Sequence, residues 1–194
     1  MSGSRKRTPV SPLILASRSP QRRAILEQLR IPFEVVDPDF DEVEGTSPLE
    51  RAIGKARSVE CVDERPVLGV DTEVLLDGAL LGKPADATEA EAMLERLAGR
   101  THEVVAGLCL RTLAWEETHE ETTLVTFRTL TPRDLAMYIS SGEWEGRAGG
   151  YAIQGLGASL VERIEGDYLN IVGMPVTKLV ALLATRFAGV YGFG

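Results

Sequence analysis

The stretch Val67-Leu68-Gly69-Val70-Asp71-Thr72-Glu73-Val74-Leu75-Leu76-Asp77-Gly78-Ala79-Leu80-Leu81, followed by Gly82-Lys83-Pro84, decides the fold class. Its first four residues form an unbroken apolar run that reads as a buried strand ending in Asp71. Residues 73–81 then read as a hairpin turned at Asp77-Gly78, a pair suited to the positive φ angles of a two-residue turn. A buried strand continued by an antiparallel hairpin calls for a sheet of mixed direction.

Working outward, residues 13–16 and 33–36 are short strand candidates. Between them Ser19 and Pro20 supply the N-cap and first turn of a helix with Ile25, Leu26 and Leu29 on one face. Ser47-Pro48-Leu49-Glu50 is a capping box, and the helix it opens has Leu49, Ala52, Ile53 and Ala56 as its inner stripe. Downstream, Thr88-Glu89-Ala90-Glu91 reads as a second capping box, with a helix running to a stop at Gly99. Residues 103–113 and 118–129 read as paired long strands, and Thr131-Pro132 starts a helix ending near Gly142. A glycine-rich stretch covers 146–157, a strand 159–164, and a last helix follows Pro175. Strands and helices intermix, so the expectation is an α/β fold on a mixed sheet. Residues 1–10 are expected as a disordered tail and 11–194 as a single domain.

With 194 residues, 44% of them hydrophobic, the chain can bury a core without disulfides or a structural metal. Cys61 and Cys109 stand far apart with no Cys-x-x-Cys spacing, which excludes a disulfide framework and a zinc site and fits a reducing cytoplasm. With only His102 and His119, any metal must be hard and carboxylate-bound, so magnesium or manganese is expected. A net charge of −8 argues against a nucleic acid polymer as partner, whereas local cations can still hold a small phosphorylated ligand. No run approaches the roughly 20 apolar residues that cross a bilayer. The expectation is a soluble, cytoplasmic protein with no membrane contact. The apolar end 187–194 either covers a homodimer interface or frays.

Several places carry chemistry. Arg22 and Arg23 sit in a helix's first turn, where cations oppose the macrodipole unless an anion binds there. Asp71, beside Thr72, closes an apolar run, where an unpaired charge is costly and needs a metal, a cation or several donors. Lys83, held extended before Pro84, and Lys55, on the flank of its helix stripe, can each neutralise a phosphate. In 147–157 the glycines permit close approach of backbone to a ligand, with Tyr151 to stack and Gln154 to read a base edge. The spacing there is neither a P-loop nor a Rossmann turn. The carboxylates of the acidic segment 37–44 are of the kind that ordinarily make a solvated loop, yet one of them could pair with Asp71 to hold a divalent ion, and the pattern alone does not say which.

Together, Leu15-Ala16-Ser17-Arg18-Ser19-Pro20-Gln21-Arg22-Arg23, Gly69-Val70-Asp71-Thr72, Gly82-Lys83-Pro84, Leu97-Ala98-Gly99-Arg100-Thr101-His102-Glu103-Val104, Val125-Thr126-Phe127-Arg128, the 147–157 stretch and Val172-Gly173-Met174-Pro175 resemble the Maf family of nucleotide pyrophosphatases. The likeness covers roughly residues 13–183. It implies a twisted mixed sheet flanked by helices, two lobes around a cleft, and a fold like the inosine triphosphate pyrophosphatases. It also implies a nucleoside triphosphate diphosphatase that cleaves between the α and β phosphates with Mg2+ or Mn2+. Asp71 takes the position of the catalytic base, and Glu42 shares the metal with it. Arg22, Lys55 and Lys83 match cations on the triphosphate, and Ser17 and Ser19 match the loop lining the phosphate site. Residues 21, 72 and 154 match positions that sort substrates. Thr72 and Gln154 resemble the branch acting on dTTP and UTP, whereas Gln21 stands where that branch often has arginine, and Arg147 where lysine is frequent. The competing expectations are a nucleotide-binding regulator of cell division without turnover, and a pyrophosphatase directed to 7-methyl-GTP or purines. Asp71, Glu42 and Lys83 occurring together favour the enzyme.

Overall fold

A computed structural model of the chain describes residues 11–40, 46–61 and 64–194. Seven strands form one sheet: β1 (Leu13–Ala16), β2 (Phe33–Val36), β3 (Val67–Leu76), β4 (Ala79–Leu81), β5 (Thr101–Arg111), β6 (Glu116–Phe127) and β7 (Val161–Glu165). Their order is β2-β1-β3-β5-β6-β7, with β4 pairing off β3. The β2-β1-β3 side is parallel and the β3-β5-β6-β7 side antiparallel, so the sheet is mixed as expected. Around it lie α1 (Pro20–Gln28), α2 (Pro48–Arg57), α3 (Ala87–Leu97), α4 (Pro132–Ser141), α5 (Tyr168–Val172) and α6 (Val176–Arg186). None of the described helices is long and apolar enough to cross a membrane.

The local signals account for most of the boundaries. Ser19 caps α1, and full capping boxes at Ser47/Glu50 and Thr131/Asp134 open α2 and α4. Asp77 and Gly78 both have positive φ, as the β3–β4 turn requires. Three expectations are corrected. The strand does not end at Asp71 but runs on to Leu76, because the hairpin partner β4 and the long β5 keep its backbone paired. Helix α3 is capped by Asp86 rather than Thr88: the Asp86 carboxylate accepts from Glu89 N at 2.9 Å, two residues earlier than the expected box. The short α5, capped by Asp167, went unread because five residues carry too little periodicity.

The core changes hands along β3 and β5. Leu68, Val70, Leu108 and Leu110 pack with β1, α1 and α6 in one cluster, while Val74, Leu76 and Val104 pack with α3, α4 and β6 in another. Residues 71–73 lie at the changeover, between the two lobes. On the opposite face of the first lobe, Val67 and Cys109 meet Ala52 and Ala56 of α2. This helix sits unusually close to the sheet. A Cβ on Gly69 would lie 2.2 Å from the Ala52 carbonyl oxygen, and one on Gly107 2.3 Å from Leu49 Cα. The C-terminal end folds back onto its own core, with Phe187 and Phe193 against the first cluster and Tyr191 donating to Ser11 O at 3.2 Å.

Two outcomes follow. Gly107→Ala must push backbone against backbone, so a loss of about 1–3 kcal/mol is expected from the shift in urea midpoint; an unmoved midpoint would mean that α2 does not lie this close. His102 is buried, and burial depresses its pKa from 6.5 to about 4. The unfolded chain therefore takes up this proton first as pH falls. Stability from this group is whole above about 6.5 and drains away toward about 4, by about 3 kcal/mol in all. His102→Gln should flatten that part of the pH–stability curve, and an unchanged slope would reassign it.

Candidate active site

The lobes enclose a cavity of about 1200 Å3 over the changeover point of β3. Asp71 lies on its floor, on the face of β3 toward α2, paired in the ladder with Gly107. Because no side chain separates α2 from the sheet at Gly69 and Gly107, Arg51 and Lys55, one helical turn apart, reach directly over the strand. The Lys55 ammonium donates to Asp71 Oδ1, and Arg51 Nε donates to Asp71 Oδ2 at 2.6 Å. Arg51 Nη2 also donates to Glu73 Oε2 at 2.7 Å, and Nη1 to the Thr46 carbonyl. One guanidinium thus bridges two carboxylates two residues apart on one face of a strand.

Burial works to raise the Asp71 pKa, but the charge and hydrogen bond of Lys55, the hydrogen bond of Arg51 and the charge of Arg22 outweigh it and hold the group below 3.8. The carboxylate stays ionised at neutral pH. For Arg51, burial works to lower the pKa, and the bonds to Glu73 and Asp71 overcome it and push it above its ordinary value.

The first loop lines the opposite wall. Arg22 is 9% exposed; its Nε donates to the Gly173 carbonyl at 2.9 Å, Nη1 to Ser17 Oγ at 3.3 Å and Nη2 to Thr72 Oγ1 at 3.4 Å. Ser17 Oγ accepts from Ser19 N at 3.1 Å, and Ser19 Oγ in turn accepts from Arg22 N, so the loop is braced by its own hydroxyls. Gln21 accepts from the Arg147 guanidinium across the cleft (Nη2 at 3.0 Å) and donates to Ser19 Oγ at 3.0 Å.

The far wall is the glycine-rich stretch, which folds as two short 3-10 turns, Ala148–Gly150 and Gly155–Leu160. It is fastened from behind. Tyr138 Oη accepts from Ala152 N at 2.9 Å, and the Glu143 carboxylate accepts from Leu156 N at 3.1 Å and Gly157 N at 3.2 Å. Tyr151 Oη lies 2.8 Å from His102 Nε2, so the ring expected to stack is buried between His102 and Phe127 rather than offered to the cavity as a free face. Gln154 is exposed and lines the cavity, as does Lys83, whose neighbour Gly82 accepts from Gly149 N at 3.0 Å.

Of the residues expected at the site, Ser17, Ser19, Gln21, Arg22, Lys55, Asp71, Thr72, Lys83 and Gln154 line this one cavity. Glu42 lies outside the described residues. Arg51 and Glu73 were not foreseen. Their signals were present, since Arg51 stands one turn before Lys55 and Glu73 two residues after Asp71, but Glu73 had been given to a separate hairpin strand.

The donor chemistry fits a hard divalent cation, because Asp71 and Glu73 offer anionic oxygens near enough for one guanidinium to span. Among the described residues no three His, Cys, Asp or Glu side chains gather. Mg2+ or Mn2+ bound there would fill its remaining positions from substrate, water or segments beyond those residues.

Comparison with known proteins points the same way. The Maf-like protein family matches residues 12–186. A dTTP/UTP pyrophosphatase of Deinococcus radiodurans is 45% identical over 188 residues, covering 94% of this chain and 95% of that protein. The dTTP/UTP pyrophosphatase of Thermus thermophilus is 46% identical, over 90% of this chain and 95% of its own. Among solved structures, a HAM1 protein from Coxiella burnetii superimposes with a TM-score of 0.54 at 17% identity, covering 90% of this chain and 98% of that one, a likeness of fold. With the match running unbroken through both lobes and the cleft between them, the chain belongs to the Maf family.

Proposed function

We propose that this protein hydrolyses nucleoside triphosphates between the α and β phosphates, with dTTP and UTP as the substrate class and a nucleoside monophosphate and pyrophosphate as products. The observation that carries the reading is an inversion of charge. The chain as a whole bears −8, yet among the described residues lining the cavity six Arg and Lys side chains face three carboxylates. A local excess of positive charge around one buried aspartate suits a polyphosphate that is to be cut rather than merely held. The names of the relatives, dTTP/UTP pyrophosphatases at 45% and 46% identity, support the same substrate class.

In this mechanism Asp71 holds the attacking water against the α-phosphorus and accepts its proton. The new P–O bond forms as the bond to the α–β bridging oxygen breaks, and pyrophosphate leaves with that oxygen. A carboxylate held below 3.8 is a weak proton acceptor, so its orienting action outweighs its basicity. Arg22 and Lys55, fixed by their neighbours, and Lys83, on the exposed rim, neutralise the charge that builds on the leaving group. A bound Mg2+ or Mn2+ supplies charge neutralisation and a lower water pKa at the same spot, with Asp71 and Glu42 as its expected ligands and Glu73 beside them. Ser17 and Ser19 present their loop to the phosphates. Thr72 and Gln21 border the nucleotide, and Gln154 pairs with the pyrimidine edge by using its amide as both donor and acceptor. Such an enzyme meets its substrates in the cytoplasm.

The first test is pyrophosphate release from a panel of nucleoside triphosphates with Mg2+. Release from dTTP and UTP is expected, whereas binding without release would make the protein a nucleotide-binding regulator. Asp71→Asn, with its melting curve intact, should lose about 10²–10⁴-fold in turnover; a variant within a few-fold of wild type removes Asp71 from the role. Gln154→Glu leaves only acceptors facing the base carbonyls and should lower kcat/KM for dTTP and UTP by about 10–100-fold. An unchanged ranking of nucleotides would take base reading away from this side chain.

A further inference from the structure

Both oxygens of the proposed base are already in use. Lys55 holds Asp71 Oδ1, and Arg51 holds Oδ2 while also holding Glu73. Among the described residues two cations hold these two carboxylates, and Arg22 adds its charge near Asp71. Each oxygen keeps a second lone pair for a water, but a divalent cation approaching these oxygens would meet the positive charge of both donors at close range. Asp71 does not need Arg51 for neutrality, since Lys55 is buried beside it at 7% exposure. Arg51 therefore looks like the member of the group that can leave.

We propose that Arg51 is an exchangeable counter-ion: it occupies Asp71 and Glu73 in the ligand-free protein, yields both to an incoming divalent cation, and then turns its guanidinium onto the nucleotide's phosphates. The inference rests on the reading of the cleft as a triphosphate site. Three features carry it. Arg51 lines the cavity and projects from α2 one turn before Lys55, so it reaches the space above Asp71 without backbone movement. Its partners are the two anionic side chains that share a face of β3, the same carboxylates a hard cation would take, and a guanidinium and a 2+ ion crowded onto one pair of acids repel each other. A 2+ ion on the two carboxylates would leave Arg51 and Lys55 uncompensated, and a planar five-donor fork freed beside phosphate oxygens has a ready bidentate partner. The alternative, a permanent ion pair that only pins α2 to the sheet, predicts no competition with metal.

The test is Mn2+ titration of the full chain without nucleotide, with free Mn2+ read by electron paramagnetic resonance. Arg51→Met should bind Mn2+ about tenfold more tightly than wild type, because its competitor is gone. Lys83→Met, which removes a cavity cation that touches neither acid, should gain clearly less, so that a general change in field is separated from exchange. Glu73→Gln should bind Mn2+ about tenfold more weakly. At saturating Mn2+, Arg51→Met should raise the KM for the nucleotide. Equal Mn2+ affinity in wild type and Arg51→Met, or an equal gain in Lys83→Met, overturns the proposal. Should Arg51→Met fail to fold, Glu73→Gln decides alone, and unchanged Mn2+ affinity there overturns it. No nucleotide enters the titration, so pyrophosphate release by wild type with unmoved affinities would sink this inference and leave the hydrolase standing.

Discussion

Helix α2 touches the sheet through its own backbone, and the charges over Asp71 take their places from that contact. Gly69 in β3 and Gly107 in β5 leave no side chain beneath the helix, and Ala52 and Ala56 add almost none above it. A glycine in a strand weakens it by losing side-chain packing. Here the loss is offset by the depth at which Arg51 and Lys55 are delivered. With larger residues at 69 and 107 the helix would ride higher, and neither cation would reach a carboxylate on the strand below. Asp71 would then be a buried charge without partners, which costs several kcal/mol.

That contact also explains how an acidic protein makes a positive cavity. The acids of this chain are spread over its exterior, where water screens them within about 8 Å at physiological salt. The cleft gathers cations from four separate segments: the first loop, α2, the turn after β4 and the stretch before the glycines. Two of them are tied by bonds that do not consume their charge, Arg22 on the Gly173 carbonyl and Arg147 on Gln21. Neutral acceptors orient these side chains and leave their charge available to a ligand. Arg51 and Lys55 differ, since their partners on β3 are themselves charged.

Much of this is legible in the sequence. The caps at Ser19, Ser47 and Thr131 and the Asp77-Gly78 turn are local chemistry, and local chemistry is what a sequence displays directly. The cavity residues were legible for a different reason: their spacing resembles a known family, and resemblance carries positions that physics alone left open. What escaped depended on tertiary context. Asp86 outcompeted Thr88 because the chain after Pro84 enters α3 earlier than the capping pattern suggested. Glu73 was misread because β3 continues where an apolar run stops, a continuity set by its partner β5 rather than by its own residues. Tyr151 lines the cleft as expected, but its ring is wedged against His102 and Phe127, since its phenol finds a buried partner there.

Strands β3 and β5 pass without a break from one lobe into the other, paired from Val67 with Arg111 to Leu75 with Glu103. Nine consecutive ladder positions make a stiff spine, and a spine of that kind has no hinge at the middle. The gap between the first-loop wall and the glycine-rich wall is therefore set by this spine, like the jaws of a caliper. Under the proposed reading a nucleotide would be gauged by whether its length from phosphate to base fits that opening, since the stretch behind Gln154 is braced by Tyr138 and Glu143.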